Sequence, residues 1–177
     1  EPVTQEFTIS FWANLNSSGQ AANNLGLMGA DAETIGGVNR KFRVDLGGGS
    51  ALTSATMSAR IGSTIIFNHN NVSLNLAGNW SHFAFVAESD GSNLKFKTYV
   101  NGNQLPGVGT FSLGTKIMPP SSNDKLRIGG GGQQNKSVKG LFDSIQIGDG
   151  VALTASQVSA IAGQSDRQMS IGTAAGL

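Results

Sequence analysis

The chain has 177 residues, of which 13 % are charged, while glycine alone fills 25 positions. Twelve Lys and Arg against eleven Asp and Glu leave a net charge of +1, with no basic cluster longer than Arg40, Lys41 and Arg43, so no nucleic-acid partner is expected. No Cys occurs, which excludes disulfide frameworks, thiol nucleophiles and thiolate metal sites together.

The length suits one domain with a sizeable core and a short tail. We expect a sandwich domain over 1–163 and a C-terminal extension or added strand over 164–177. The longest apolar runs, such as Ile65-Ile66-Phe67, are far too short to cross a membrane, so no membrane insertion is expected. The chain opens Glu1-Pro2 without a signal peptide and reads as an excised or processed piece of a longer protein.

In chain order, Phe7, Ile9, Phe11, Ala13 and Leu15 alternate with Thr8, Ser10, Trp12 and Asn14, the period of a strand with one face on a core. Further short runs cover Leu25 to Met28, Phe42 to Leu46, Ala55 to Ile61, Thr64 to Asn68, Trp80 to Ala87, Leu94 to Val100, Leu126 to Ile128 and Leu141 to Ile147. Clusters of Gly, Asn, Asp and Ser separate them, as in an all-β sandwich. Asp90-Gly91 and Asn101-Gly102 tolerate the positive φ of tight hairpins and predict an antiparallel meander. One segment, Leu153 to Gly163, reads as helical, with Thr154 as N-cap, Gln157 completing a capping box and Gly163 as C-cap.

The order of FTISFWANL (7–15), WSHFAFV (80–86), LKFKTYVNG (94–102), LRIGG (126–130) and GLFDSIQI (140–147), followed by LTASQVSAI, resembles the laminin G-like branch of the concanavalin A-like lectin and glucanase superfamily. The resemblance implies a two-sheet antiparallel jelly roll, one sheet concave and one convex, with ligands at rim loops or in the concave groove. It also implies a structural calcium at the position of Asp143, where superfamily glucanases hold the ion with an Asp and backbone carbonyls. Two departures stand out. Members usually open with one more strand than Glu1 to Glu6 can supply, and the disulfide of many animal members is missing. An extracellular or surface-exposed protein, bacterial or viral rather than animal, is therefore expected.

The residues argue against catalysis. Glycosidases of the superfamily carry Glu-x-Asp-x-Glu on one strand face, so that two carboxylates flank the scissile bond at a retaining separation of roughly 5 Å. That pattern is absent, and Asp31-Ala32-Glu33 reads as a loop. No Gly-x-Ser-x-Gly elbow precedes a helix, and the Gly129 to Gly132 run lacks the Lys-Ser/Thr of a phosphate loop.

Asp143 sits amid Leu141, Phe142, Ile145 and Ile147, and a carboxylate buried there would need a cation or hydrogen-bond donors. His82 reads as a hydrogen-bonded core residue, and Trp12 and Trp80 as core aromatics. That leaves Tyr99, beside Lys95 and Lys97, as the exposed aromatic, and the loop Asn68-His69-Asn70-Asn71 as a polar rim. These residues are the candidate ligand contacts. The expected function is a non-catalytic recognition module for carbohydrate or a glycosylated surface. The alternative is a structural or adhesion module contacting neighbouring cell-surface or virion protein chains, with a glycoside hydrolase ranked last.

Overall fold

The computed structural model describes residues 6–16, 25–30, 33–35, 38–40, 43–47, 54–61, 64–73, 78–106, 109–112, 126–129 and 138–164. The strands are β1 (Phe7–Leu15), β2 (Leu25–Ala30), β3 (Glu33–Ile35), β4 (Val38–Arg40), β5 (Arg43–Gly47), β6 (Ser54–Ile61), β7 (Thr64–Ser73), β8 (Trp80–Ser89), β9 (Asn93–Val100), β10 (Asn103–Gln104), β11 (Gly109–Ser112), β12 (Leu126–Ile128) and β13 (Gly140–Asp149), followed by helix α1 (Ala155–Ala162). The expected 164–177 extension lies, apart from Gln164, outside the described residues.

Two antiparallel sheets carry the architecture. The first runs β10-β9-β8-β1-β13, with β11 also paired to β9; the second runs β12-β2-β5-β6-β7. A separate two-stranded ribbon joins β3 and β4. The alternation read in β1 is the physical reason for its two roles. Phe7, Ile9, Phe11, Ala13 and Leu15 are all buried on one face, where Phe11 packs with Phe83, Phe85 and Phe142 and Phe7 with Phe96. Phe142 also lies against Gly129, just past β12 of the second sheet, so this face points between the sheets.

The other face of β1, with Thr8, Ser10, Trp12 and Asn14, is shared by Val86, Ala84, His82 and Trp80 of β8 through direct cross-strand register. Half of this face is roofed. Val158 of α1 seals onto Ala84, Val86 and Tyr99, with Ala152 and Leu153 packed beside it. Thr8 Oγ1 fastens the approach to the helix, donating to Val151 O at 2.8 Å and accepting from Leu153 N–H at 3.0 Å.

The turn and cap chemistry expected from the sequence is present. Asn101 and Gly102 both adopt positive φ, 50° and 78°, between the paired residues Val100 and Asn103, as a type I′ hairpin requires. Thr154 caps α1 with the reciprocal box: Gln157 N–H donates to Thr154 Oγ1 at 3.3 Å, and Thr154 N–H donates to Gln157 Oε1 at 2.8 Å. Gly163 is the C-cap.

β13 carries a bulge that the sequence does not announce. Ser10 pairs with Gln146 and Trp12 with Asp143, so Phe11 alone opposes Ser144 and Ile145. Ser144 takes φ 48°, and Asp143 Oδ1 accepts its N–H at 2.6 Å and its Oγ at 3.2 Å.

Candidate functional site

Register places four side chains in one row across the helix-bearing face. Asp143 of β13 lies beside Trp12 of β1, which lies beside His82 of β8. Asn101 closes the row, its Oδ1 accepting His82 N–H and its own N–H donating to His82 O, both at 2.8 Å. The rings of Trp12 and His82 pack at 5.4 Å between centroids. The next row outward is Leu141, Asn14 and Trp80. Trp12 and Trp80 are diagonal neighbours, roughly 7–8 Å apart for such positions.

Helix α1 meets the first row at its Asn101 end. Its C-terminal half rests on the Asn101–Gly102 turn, where a Cβ on Gly102 would stand 3.1 Å from Ser159 Cα. His82 beneath is buried, Trp12 and Asn14 are half-buried, Asn101 and Asp143 are exposed, and Trp80 is 39 % exposed. Toward the other end of β1 the same face opens into a shallow cavity of about 210 Å³ lined by Thr8, Ser10, Gln146, Val151 and Leu153. The result is a strip along β1 and β13, beside the helix, with an aromatic end and a cavity end.

The contacts expected from sequence are redistributed. Lys95, Lys97 and Tyr99 do share a face, but Tyr99 is only 1 % exposed, because α1 lies over it. Its hydroxyl donates to Gln104 Oε1 at 3.3 Å, and burial pushes its pKa up. Tyr99 is thus a packing residue. Lys95 pairs with Asp90 at 3.2 Å and Lys97 with Glu88, and the Glu88 carboxylate raises the Lys97 pKa.

Asn68, His69, Asn70 and Asn71 are not a loop. They continue β7, with Asn68 opposite Ser58 and His69 opposite Met57 of β6. Asn has little strand preference of its own, so the β6 ladder overrides local propensity here. These four residues belong to the second sheet, whereas Lys95, Lys97 and Tyr99 belong to the first.

Asp143 is also not where its neighbours in sequence imply. Among the described strands β13 stands at the edge of its sheet, and Asp143 is exposed, as are Leu141, Ile145 and Ile147. The burial argument for a compensating cation does not apply to it. One of its oxygens already holds the bulge at Ser144. Among the described residues no group of three His, Cys, Asp or Glu side chains comes together, whereas a calcium site wants six to eight oxygens, several of them charged.

The two tryptophans correct the expectation that both are core. Their signal was present in the sequence: Trp12 has the parity of Thr8 and Ser10, opposite to the Phe row, and Trp80 opens its strand directly after Gly78-Asn79. A strand-end aromatic on the polar face stands at a rim.

A family model described as the concanavalin A-like lectin/glucanases superfamily, Laminin_G_3, matches residues 2–159. The chain belongs to this superfamily. Its laminin G-like, concanavalin A-like fold is shared with solved structures of low sequence identity. The Ruminococcus gnavus IT-sialidase CBM40 bound to alpha2,3 sialyllactose matches at TM-score 0.59 and 13 % identity, over 89 % of this chain and 83 % of that one. A heptameric SAP-like pentraxin from Limulus polyphemus matches at TM-score 0.56 and 18 % identity, over 91 % and 71 %. A putative carbohydrate binding protein from Bacteroides ovatus matches at TM-score 0.56 and 18 % identity, over 89 % and 40 %. No curated protein matches the chain.

Proposed function

We propose that this concanavalin A-like domain is a non-catalytic carbohydrate-recognition module that binds glycan on the open strip of its helix-bearing sheet. One observation carries the reading: Trp80 stands 39 % exposed beside Asn14, with Asp143 and Trp12 in the adjoining row. An indole face with an amide beside it and a carboxylate further along the same strip is a combination that can hold a sugar, the ring providing apolar contact and the polar groups fixing orientation. Neighbours on the same fold that are named as a CBM40 or a putative carbohydrate binding protein support the reading. The absence of Glu-x-Asp-x-Glu from the sequence supports binding without hydrolysis. A secreted or surface-exposed parent, bacterial or viral, fits such a module.

A second reading rests on a different observation. Leu141, Ile145, Ile147 and Val151 are each about half exposed or more, on or just after an edge strand whose outer hydrogen-bonding side faces away from β1. Edges of this kind suit contact with a neighbouring protein chain, as in a structural or adhesion module.

A glycan array probed with the purified domain separates the two. Binding to a defined class of glycans, weakened in Trp80→Ala, is the expected result. An empty array, together with self-association that Ile147→Lys abolishes in sedimentation, would overturn carbohydrate recognition in favour of the structural role.

A further inference from the structure

The strip has a second feature, at the end away from Trp80. Resting on the carbohydrate reading above, we propose that the cavity beside Thr8 is a sugar subsite for an N-acetylated aminosugar, the acetamido methyl lying against Val151 and Leu153 and the acetamido N–H and C=O meeting Ser10 and Gln146.

The space exists because residue 148 has no side chain. Register sets Gly148 opposite Thr8 and Gln146 opposite Ser10, so all four share the helix-bearing face. Gly148 is not among the residues with positive φ, and a Cβ there would stand 3.4 Å from Val151 Cβ and 3.7 Å from Val151 O, ordinary contact distances. Neither turn geometry nor backbone crowding therefore calls for glycine, in contrast to Gly140, where a Cβ would fall 2.3 Å from Asn14 O. A glycine within a strand weakens it, and where the surroundings would accept a side chain, its absence leaves room for a ligand to approach the backbone.

The wall facing Gly148 is held in place. Thr8 Oγ1 donates to Val151 O at 2.8 Å and accepts from Leu153 N–H at 3.0 Å, and Leu153 packs beside the cluster that Val158 closes. The cavity is thus formed before a ligand arrives, which lowers the cost of binding.

The lining joins two chemistries. Val151 and Leu153 are apolar, whereas Ser10 brings a hydroxyl and Gln146 a carboxamide. Ser10 is 1 % exposed, and Gln146, its cross-strand partner, is exposed at the mouth. A hydroxyl both donates and accepts, and a carboxamide does so through separate atoms. An acetamido group carries the matching set in one substituent: a methyl, an N–H donor and a carbonyl acceptor. A sugar hydroxyl would leave the apolar wall unused, and the methyl of a deoxysugar would bring nothing for Ser10 and Gln146 to bond.

Size agrees with a single sugar residue. The cavity, about 210 Å³, falls below the roughly 300–1,000 Å³ of pockets that enclose drug-sized ligands. Asn14, which pairs with Trp80, stands four residues along β1 from Ser10, about 13 Å at strand rise. One oligosaccharide can therefore reach from the Trp80 ring to the cavity.

Two matched pairs isolate the acetamido group: N-acetyllactosamine against lactose, and chitotriose against cellotriose. Any acetamido glycan retained on the array joins them with its own unacetylated match. Calorimetry is expected to show at least one acetamido sugar bound tenfold or more tightly than its match, with its acetyl methyl receiving the strongest saturation transfer in NMR. Gly148→Leu, which fills the cavity, is expected to weaken that sugar at least tenfold, and Gly148→Ala and Gln146→Ala threefold or more. Thermal unfolding checks that each variant is folded, and the two smaller changes keep the test decisive if Gly148→Leu is not. Equal affinity within every pair, or acetamido-sugar binding unchanged in the folded variants, would overturn the cavity assignment and leave carbohydrate recognition standing. Array binding confined to glycans without an acetamido group would do the same. Failure of all four sugars, together with an empty array, would overturn both.

Discussion

At the scale of single residues, Asp90 illustrates how one side chain can organise a turn. Gly91 and Ser92 form the two-residue loop between β8 and β9, and Gly91 supplies the positive φ, 86°, that a turn of type II′ needs at its first position. Asp90 Oδ1 accepts the N–H groups of Asn93 at 2.7 Å and Ser92 at 3.0 Å, and Lys95 pairs with Oδ2 at 3.2 Å. These hydrogen bonds, Asn93 first, then Ser92 and Lys95, hold the carboxyl at about 2, below its ordinary 3.8. A depressed folded-state pKa means stability that is complete above the unfolded value and lost as pH falls through the folded one. The melting temperature of wild type should therefore fall more steeply from pH 4 to pH 2 than that of Asp90→Asn, as read by circular dichroism at low salt. Equal slopes would show that the carboxylate does not organise the hairpin. The dipeptide Asp90-Gly91 was legible as a turn, but the perturbed acid was not, because its donors are placed by the folded loop.

At the scale of elements, α1 shows how weakly a helix can be attached and still decide a surface. Val158 is its one buried side chain, and it closes the small cluster of Ala84, Val86 and Tyr99. Truncating it removes most of the apolar contact that keeps the helix down. We expect Val158→Ala to cost about 2 kcal/mol in urea unfolding and to raise the exposure of Tyr99, seen as increased reactivity toward iodination or a shifted tyrosine emission. A loss below about 0.5 kcal/mol would mean that α1 is held by its ends, through Thr8 and the Gly102 turn. The capping box was readable from Thr154 and Gln157 alone, since its bonds span three residues. Which sheet face the helix would roof was not, and that choice turned Tyr99 from an apparent surface aromatic into core and left Trp80 outside.

At the scale of the whole molecule, the chain closes on itself, with the first strand flanked by β8 and by β13 from the far end of the sequence. Glu6 and Gly150, Asn16 and Lys139 are joined by backbone hydrogen bonds of 2.9 Å at the two ends of the β1–β13 pair. The junction is tightest at Gly140, where a Cβ would fall 2.3 Å from Asn14 O and 2.9 Å from Leu15 Cα. Backbone on both sides has no room to yield, so Gly140→Ala should destabilise the domain by about 2 kcal/mol, checked by the denaturation midpoint at unchanged m-value. A neutral Gly140→Ala would show that the pair is looser than drawn. What the sequence determined by itself were the local rules: alternation that makes strands, Gly and Asn at positive φ, the helix cap, and the ordered motifs by which the superfamily is recognised. Each depends on residues close along the chain. What only the tertiary structure decided were pairings between distant segments: the strand that continues through Asn68 to Asn71, the bulge that lifts Asp143 onto an exposed edge, and the row that sets Asp143, Trp12 and His82 side by side. Exposure is a property of what covers a residue, and here the cover comes from elements up to 145 residues away, as between Thr8 and Leu153. Periodicity could set Trp12 opposite the Phe row and Trp80 at a strand end, but only the placement of α1 could bury Tyr99.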